Sequence, residues 1–192
     1  ILNWNASAGA NQYKLYRSTT ESGTYELVST GSDTTYQASD LTAGQIYYYK
    51  ISATADSEVY GESSKSSFYK VVTLPDIPQN IHTTTLKHNQ ISLKWNAVAG
   101  ADGYKVYRSS KESGYEEVEY KTTTSNSLTD INLIQYSNYF YRVKAYNDSG
   151  ESGFSQQLKQ RTKYLLQYEL EFELGKKIRS DEGELHYPSC IT

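Results

Sequence analysis

The stretch Leu2-Asn3-Trp4-Asn5-Ala6-Ser7-Ala8-Gly9-Ala10-Asn11-Gln12-Tyr13-Lys14-Leu15-Tyr16-Arg17-Ser18, running on to Glu21-Ser22-Gly23, decides the fold because the chain contains it twice. It returns as Leu93 to Gly114, with Trp4 matching Trp95, Tyr13 matching Tyr104 and Arg17 matching Arg108, an offset of 91 residues. Leu41 to Ala53 returns as Leu133 to Ala145 at an offset of 92, so a single residue is inserted between the two blocks. A period of about 90 residues is too long for a solenoid unit and suits a complete small domain, which gives two copies of one domain.

Within each copy the apolar residues recur at every second position. Tyr47, Tyr49, Ile51 and Ala53 alternate with Tyr48, Lys50 and Ser52, and Tyr139, Tyr141, Val143 and Ala145 alternate with Phe140, Arg142 and Lys144. Ile91, Leu93 and Trp95 repeat the pattern, and turn-forming clusters at Ser109–Gly114 and Asn147–Gly153 separate the runs. Half-buried strands at this spacing predict an antiparallel β-sandwich. Composition agrees: of 192 residues 20 are Tyr, 3 are Pro and none is Met, while Leu, Ile, Val and Phe make up only about a fifth. Aromatic residues that favour strands replace the missing aliphatics, so an all-β chain is expected and an all-α chain is not.

Charge and cysteine exclude several function classes. The formal net charge is −3, which gives no basic surface for nucleic acid. No apolar run approaches the roughly 20 residues of a membrane-spanning helix, and no signal peptide is present. Cys190 has no partner within the chain, so no intrachain disulfide stabilises it. The sequence opens on Ile1 rather than Met and reads as an internal piece of a longer one.

Catalytic constellations do not emerge. His82, His88 and His186 have no ligating neighbours at metal-site spacing, and Gly-x-Ser-x-Gly, Walker and Gly-x-Gly-x-x-Gly motifs are missing. The sequence therefore predicts no catalytic, cofactor-binding or metal-binding residues. The clusters Glu116-Glu117-Glu119 and Glu169-Glu171-Glu173 read as solvated strand faces. Two glycosylation sequons, at Asn5 and Asn147, match the expected chance frequency in a chain so rich in Asn, Ser and Thr.

Aromatic side chains are the remaining candidates for contact with a partner. If Tyr13 and Leu15 point inward, Lys14 and Tyr16 point outward, joined by Tyr48 and Lys50 on the neighbouring strand. The second copy repeats this with Lys105, Tyr107, Phe140 and Arg142. Such a face stacks against sugars or a partner protein, or it consists of cross-strand pairs that stabilise the sheet by ~0.2–1 kcal/mol each. The loop Asp56–Glu62, longer than its counterpart Asp148–Glu151, adds an expected exposed tip at Val59-Tyr60.

At Leu93-Lys94-Trp95-Asn96, Gly100 to Ser109, Glu112 to Tyr115 and the Leu133–Tyr139–Ala145 block, the chain resembles the fibronectin type III family, in the version common in secreted bacterial proteins. The resemblance covers about 160 residues and implies two consecutive immunoglobulin-like sandwiches, at 1–74 and 75–162. It also implies that Tyr47 and Tyr139 are tyrosine-corner residues and that Trp4 and Trp95 are core tryptophans. Ile1 aligns with Ser92, so the first copy lacks a counterpart of the opening strand that Pro75–Ile91 supplies, and it should be the weaker copy.

Function follows as an expectation: a non-catalytic spacer, presentation or protein-interaction module of a larger extracellular or cell-surface protein. The alternative is a pair of carbohydrate-contacting accessory domains in a secreted polysaccharide-degrading enzyme. Expected partners are neighbouring domains of the same polypeptide, with polysaccharide or another surface protein as candidates; nucleic acid and a membrane span are not expected. Expected contact residues are Tyr16, Tyr48, Tyr60, Tyr107 and Phe140. The tail, residues 163–192, carries an alternating stretch at Gln167–Leu174 that predicts an amphipathic strand docked on a sheet edge or another chain. Gly175-Lys176-Lys177 should end that strand and Gly183–Tyr187 return as its partner.

Overall fold

The computed structural model describes residues 1–55, 61–111, 119–165, 170–171 and 177–178, and every regular element in them is a β-strand. In the first copy these are β1 (Leu2–Asn3), β2 (Gln12–Ser18), β3 (Glu26–Gly31), β4 (Thr35–Tyr36), β5 (Ile46–Thr54) and β6 (Tyr69–Val72). The second copy holds β7 (His82–Leu86), β8 (Gln90–Lys94), β9 (Gly103–Ser109), β10 (Glu119–Thr123), β11 (Ser127–Ile131), β12 (Asn138–Asn147), β13 (Gly150–Glu151) and β14 (Leu158–Arg161). In the tail β15 (Leu170–Glu171) pairs antiparallel with β16 (Lys177–Ile178). The return strand therefore includes Lys177, which the sequence reading assigned to the turn; residues 183–187 and most of 167–174 lie outside the described residues. The chain divides into two compact units, Ile1–Ile77 with Val98–Asp102 and Ala145–Gly153, and Pro78–Ala97 with Gly103–Lys144 and from Phe154 onward.

Each copy is a two-sheet sandwich. In the first, β1 pairs with β4, and the larger sheet runs β3-β2-β5-β6. In the second, the smaller sheet runs β11-β8-β7, and the larger runs β10-β9-β12, with β13 and β14 both pairing with β12. All pairings are antiparallel, as hairpin-connected strands require. The first copy has no counterpart of β7, as the sequence alignment predicts.

The alternation read from sequence places the cores. Tyr13, Leu15, Tyr47 and Tyr49 are buried in the first copy, and Tyr104, Val106, Tyr139, Tyr141 and Val143 in the second. Each core tryptophan meets a β-strand tyrosine edge to face, Trp4 with Tyr13 at 5.7 Å and Trp95 with Tyr104 at 5.3 Å. Both tyrosine corners are formed: the Thr42 N–H donates to the Tyr47 hydroxyl at 2.8 Å and the Ile134 N–H donates to the Tyr139 hydroxyl at 2.9 Å. Backbone specials repeat as well. Gly9 and Gly100 take φ of +76° and +65° at equivalent turns, where a side chain would be strained. Asp40 and Asn132, types that tolerate this region, take +54° and +60°.

A second repeated device was not read from the sequence. After β5, Ser63 and Ser66 accept hydrogen bonds through their hydroxyls from the Ala53 and Ile51 N–H groups, at 3.0 and 3.1 Å. Ser152 and Ser155 do the same for Ala145 and Val143, both at 3.0 Å. Side chains thus satisfy backbone donors where regular strand pairing stops. The signal is Glu-Ser-x-x-Ser, present at 62–66 and again at 151–155.

The copies part at one core position. Asp130 of β11 is fully buried and accepts four hydrogen bonds: from Arg108 Nη1 to both oxygens at 2.9 and 3.1 Å, from the Tyr120 hydroxyl at 2.6 Å and from the Tyr141 hydroxyl at 2.7 Å. Burial, then the Asp130 carboxylate, pushes both phenols above their ordinary range. The first copy carries Ala38 at the position of Asp130, and the buried Tyr49 hydroxyl, counterpart of Tyr141, has no hydrogen-bond partner. Arg17, counterpart of Arg108, donates instead to the Ser39 carbonyl at 3.4 Å and lies over the Tyr47 ring at 5.3 Å.

Candidate functional site

The outer face of the β3-β2-β5-β6 sheet carries the aromatic and cationic side chains that the sequence singled out. The strand pleat fixes this placement: with Tyr13 and Leu15 buried, Lys14 and Tyr16 face the other way, and the β2–β5 register sets Tyr16 opposite Lys50 and Lys14 opposite Ser52. Tyr48 stands on the same face, opposite Lys70 of β6. Phe68, just before β6, meets Tyr48 edge to face at 5.5 Å and is 41% exposed. Lys65 sits over the Tyr16 ring with its Nζ at 3.7 Å from the centroid, and Lys50 over Tyr25 at 4.4 Å. Contacts of this kind contribute ~0.5–1 kcal/mol at exposed sites.

Glu62 organises one end of this face. Its carboxylate accepts from Lys14 Nζ at 2.6 Å, from the Tyr16 hydroxyl at 2.7 Å and from the Ser52 hydroxyl at 2.7 Å. Those hydrogen bonds, Lys14's first, hold the Glu62 carboxyl down at about 2, and the same pair raises the Lys14 ammonium. Ser52 is buried beneath it although it belongs to the outward set. Sequence reasoning named Tyr16, Tyr48, Lys14 and Lys50 here but missed Phe68, Lys65 and Glu62. The repeated Glu-Ser-x-x-Ser motif would have located two of these three.

The equivalent face of the second copy is closed, which corrects the expectation for Tyr107 and Phe140. Tyr107 is only 8% exposed and Phe140 only 3%. The motif alignment puts Phe154 where the first copy has Lys65, and Phe154 meets Tyr107 edge to face at 4.9 Å. Lys144 and Arg142 then lie over Phe154 at 4.4 and 5.0 Å, while Lys159, opposite Phe140 on β14, covers that ring at 5.4 Å. An apolar ring in that seat gains by covering its neighbours, whereas a lysine leaves the ring edge in water. Tyr60 lies outside the described residues. Among the described residues no group of three or more His, Cys, Asp or Glu gathers as a metal site would require, and no helix is long and apolar enough to cross a membrane.

Two antiparallel sheets around a Trp–Tyr core, each copy closed by a tyrosine corner, define an immunoglobulin-like sandwich. Residues 76–161 match the fibronectin type III domain and belong to that family, and the internal repeat extends the assignment to a tandem whose first copy lacks its opening strand. A two-domain fibronectin type III segment of chicken tenascin superposes with a TM-score of 0.51 over 83% of this chain and 90% of its own, at 18% identity, which supports the fold. In sequence, the chain is 39% identical to an alpha-amylase of Niallia circulans over 85 residues, or 42% of this chain and 6% of the amylase. It is 28% identical to exoglucanase B of Cellulomonas fimi over 167 residues, or 78% of this chain and 14% of the exoglucanase. The chain thus spans a small fraction of the length of these relatives.

Proposed function

We propose that the chain is a non-catalytic spacer and presentation module of a larger extracellular protein, with one domain in residues 1–74, a second in 75–162 and a short tail. The observation that carries the reading is the match itself: a family of non-catalytic modules, in a chain that corresponds to only 6% and 14% of two enzymes with names in polysaccharide degradation. The side chains argue the same way. The networks at Asp130 and Glu62 are internally satisfied, and they fix strands in place rather than presenting reactive groups.

A second reading, carbohydrate contact, is favoured by one observation: with Lys65 in place of Phe154, the first copy leaves Phe68 and the edges of Tyr16 and Tyr48 open to solvent. Sedimentation with insoluble cellulose and starch separates the two. The spacer reading expects the 192-residue protein to remain in the supernatant. Retention that is lost in Tyr16→Ala and Tyr48→Ala would replace it with the carbohydrate reading.

A further inference from the structure

Strand β1 has one edge paired with β4, and among the described residues nothing pairs with its other edge. Beside that edge lies a groove of about 410 Å³ whose walls include Leu2, Trp4, Leu15, Tyr49, Ile51 and Tyr69. The internal repeat shows what such a groove holds. In the second copy β8, the counterpart of β1, is paired on both edges, and β7 takes the place of the groove with Thr83 opposite Leu93 and His82 opposite Lys94. The preceding segment continues along the same edge, where the Asn96 N–H donates to the Gln79 carbonyl at 2.9 Å and Pro78 is fully buried.

Burial shows the consequence of leaving the seat open. Val106, Tyr141 and Val143 are 0% exposed, whereas of their counterparts Leu15, Tyr49 and Ile51 the last is only half-buried. Tyr69 is the clearest marker. The β5–β6 register pairs it with buried Tyr49, so its ring stands on the inward face, yet it is 67% exposed. A tyrosine on the core side of a sheet with two-thirds of its surface in water is a wall waiting for a neighbour.

We propose that this groove binds a β-strand donated by a separate polypeptide, extended and apolar at alternate positions in the manner of residues 78–86. Backbone hydrogen bonds to β1 supply the attachment and the alternating side chains fill the groove, as in other strand additions to an open sheet edge. The groove also states a preference. In the second copy the Thr83 hydroxyl of β7 donates to Gln160 on β14 at 2.9 Å, but the first copy has Val71 at the position of Gln160, packed against Leu15, Tyr47 and Tyr49. A hydroxyl at that place on the incoming strand has no acceptor, so an apolar β-branched residue fits better.

The test uses the isotopically labelled 192-residue protein and two synthetic peptides, one with the sequence of residues 76–87 and one carrying Thr83→Val. Saturable amide shifts are expected at residues 1–4, 49–51 and 69, with the second copy undisturbed. The Thr83→Val peptide should bind about tenfold more tightly. Tyr69→Ala, a change at an exposed side chain that leaves the fold intact, should weaken both peptides. Absence of shifts at millimolar peptide, or shifts confined to other residues, overturns the proposal. So does concentration-dependent self-association that shifts the same amides without peptide, because the groove then serves a second copy of this chain.

Discussion

Tyr49 and Tyr141 stand at the same place in the two copies and meet opposite circumstances. Both are buried on the inward face of the larger sheet, but the Tyr141 hydroxyl donates to a buried carboxylate that also holds Arg108 and Tyr120, whereas the Tyr49 hydroxyl has no partner. A few ångströms away the same contrast recurs in the backbone: β8 is paired on both edges and β1 on one. Two copies of one sequence pattern thus reach the same sandwich with different degrees of completion. Alternation and the tyrosine corner are sufficient for the fold, while buried polar satisfaction and a closed sheet edge set its stability.

Removing the acceptor should have the largest effect. Asp130→Ala strips Arg108, Tyr120 and Tyr141 of a shared partner at a fully buried site, and a loss of about 3–5 kcal/mol in the second copy is expected from denaturant unfolding. A change below about 1 kcal/mol would show that the network carries little of the difference between the copies.

The paired tyrosines sharpen the comparison by sign. Tyr141→Phe should cost about 1.5–3 kcal/mol because it breaks a hydrogen bond to a charged acceptor. Tyr49→Phe removes an unpartnered hydroxyl and should be neutral or stabilising by up to about 1 kcal/mol. Equal losses at both positions contradict the assignment. Ala38→Asp is the converse, placing an acceptor near Tyr49 and Arg17, and a gain of about 1 kcal/mol in the first copy is expected by the same measurement.

The copies should also respond to opposite ends of the pH scale, a smaller effect. Glu62 is held down at about 2, so its contribution to the first copy is present above the ordinary Glu range and is lost as pH falls from there towards 2. Tyr120 and Tyr141 are raised, so their contribution to the second copy is present below the ordinary tyrosine pKa of ~10 and is lost as pH climbs beyond it. In the first copy burial raises Tyr49, but the Thr42 N–H lowers Tyr47, and the two oppose each other at alkaline pH. Thermal unfolding from pH 2 to 11 should show the first copy declining in acid and the second in alkali; a common profile for both contradicts this.

What could be read in the sequence follows from what repeats. The offset blocks located both sandwiches, both Trp–Tyr pairs and both corner tyrosines, because strand alternation and local turn chemistry are properties of neighbouring residues. Asp130 was missed because a carboxylate alternating with Leu128 looks like an ordinary polar strand position until Arg108 and Tyr120 arrive from other strands. Tyr107 and Phe140 were placed outward, yet their burial depends on Phe154 and Lys159, which come from a later segment and a neighbouring strand. Periodicity shows which way a side chain points and not what the rest of the chain lays over it.

The most direct test of the difference between the copies is residue-resolved amide exchange under native conditions, compared at matched positions: Leu15 with Val106, and Tyr49 with Tyr141. The account predicts that the first-copy amides exchange through openings of lower free energy than their second-copy counterparts, because one core is open at β1 and lacks a buried acceptor while the other is closed. Equal protection at both pairs would contradict it and would mean that neither the missing strand nor the missing carboxylate governs stability.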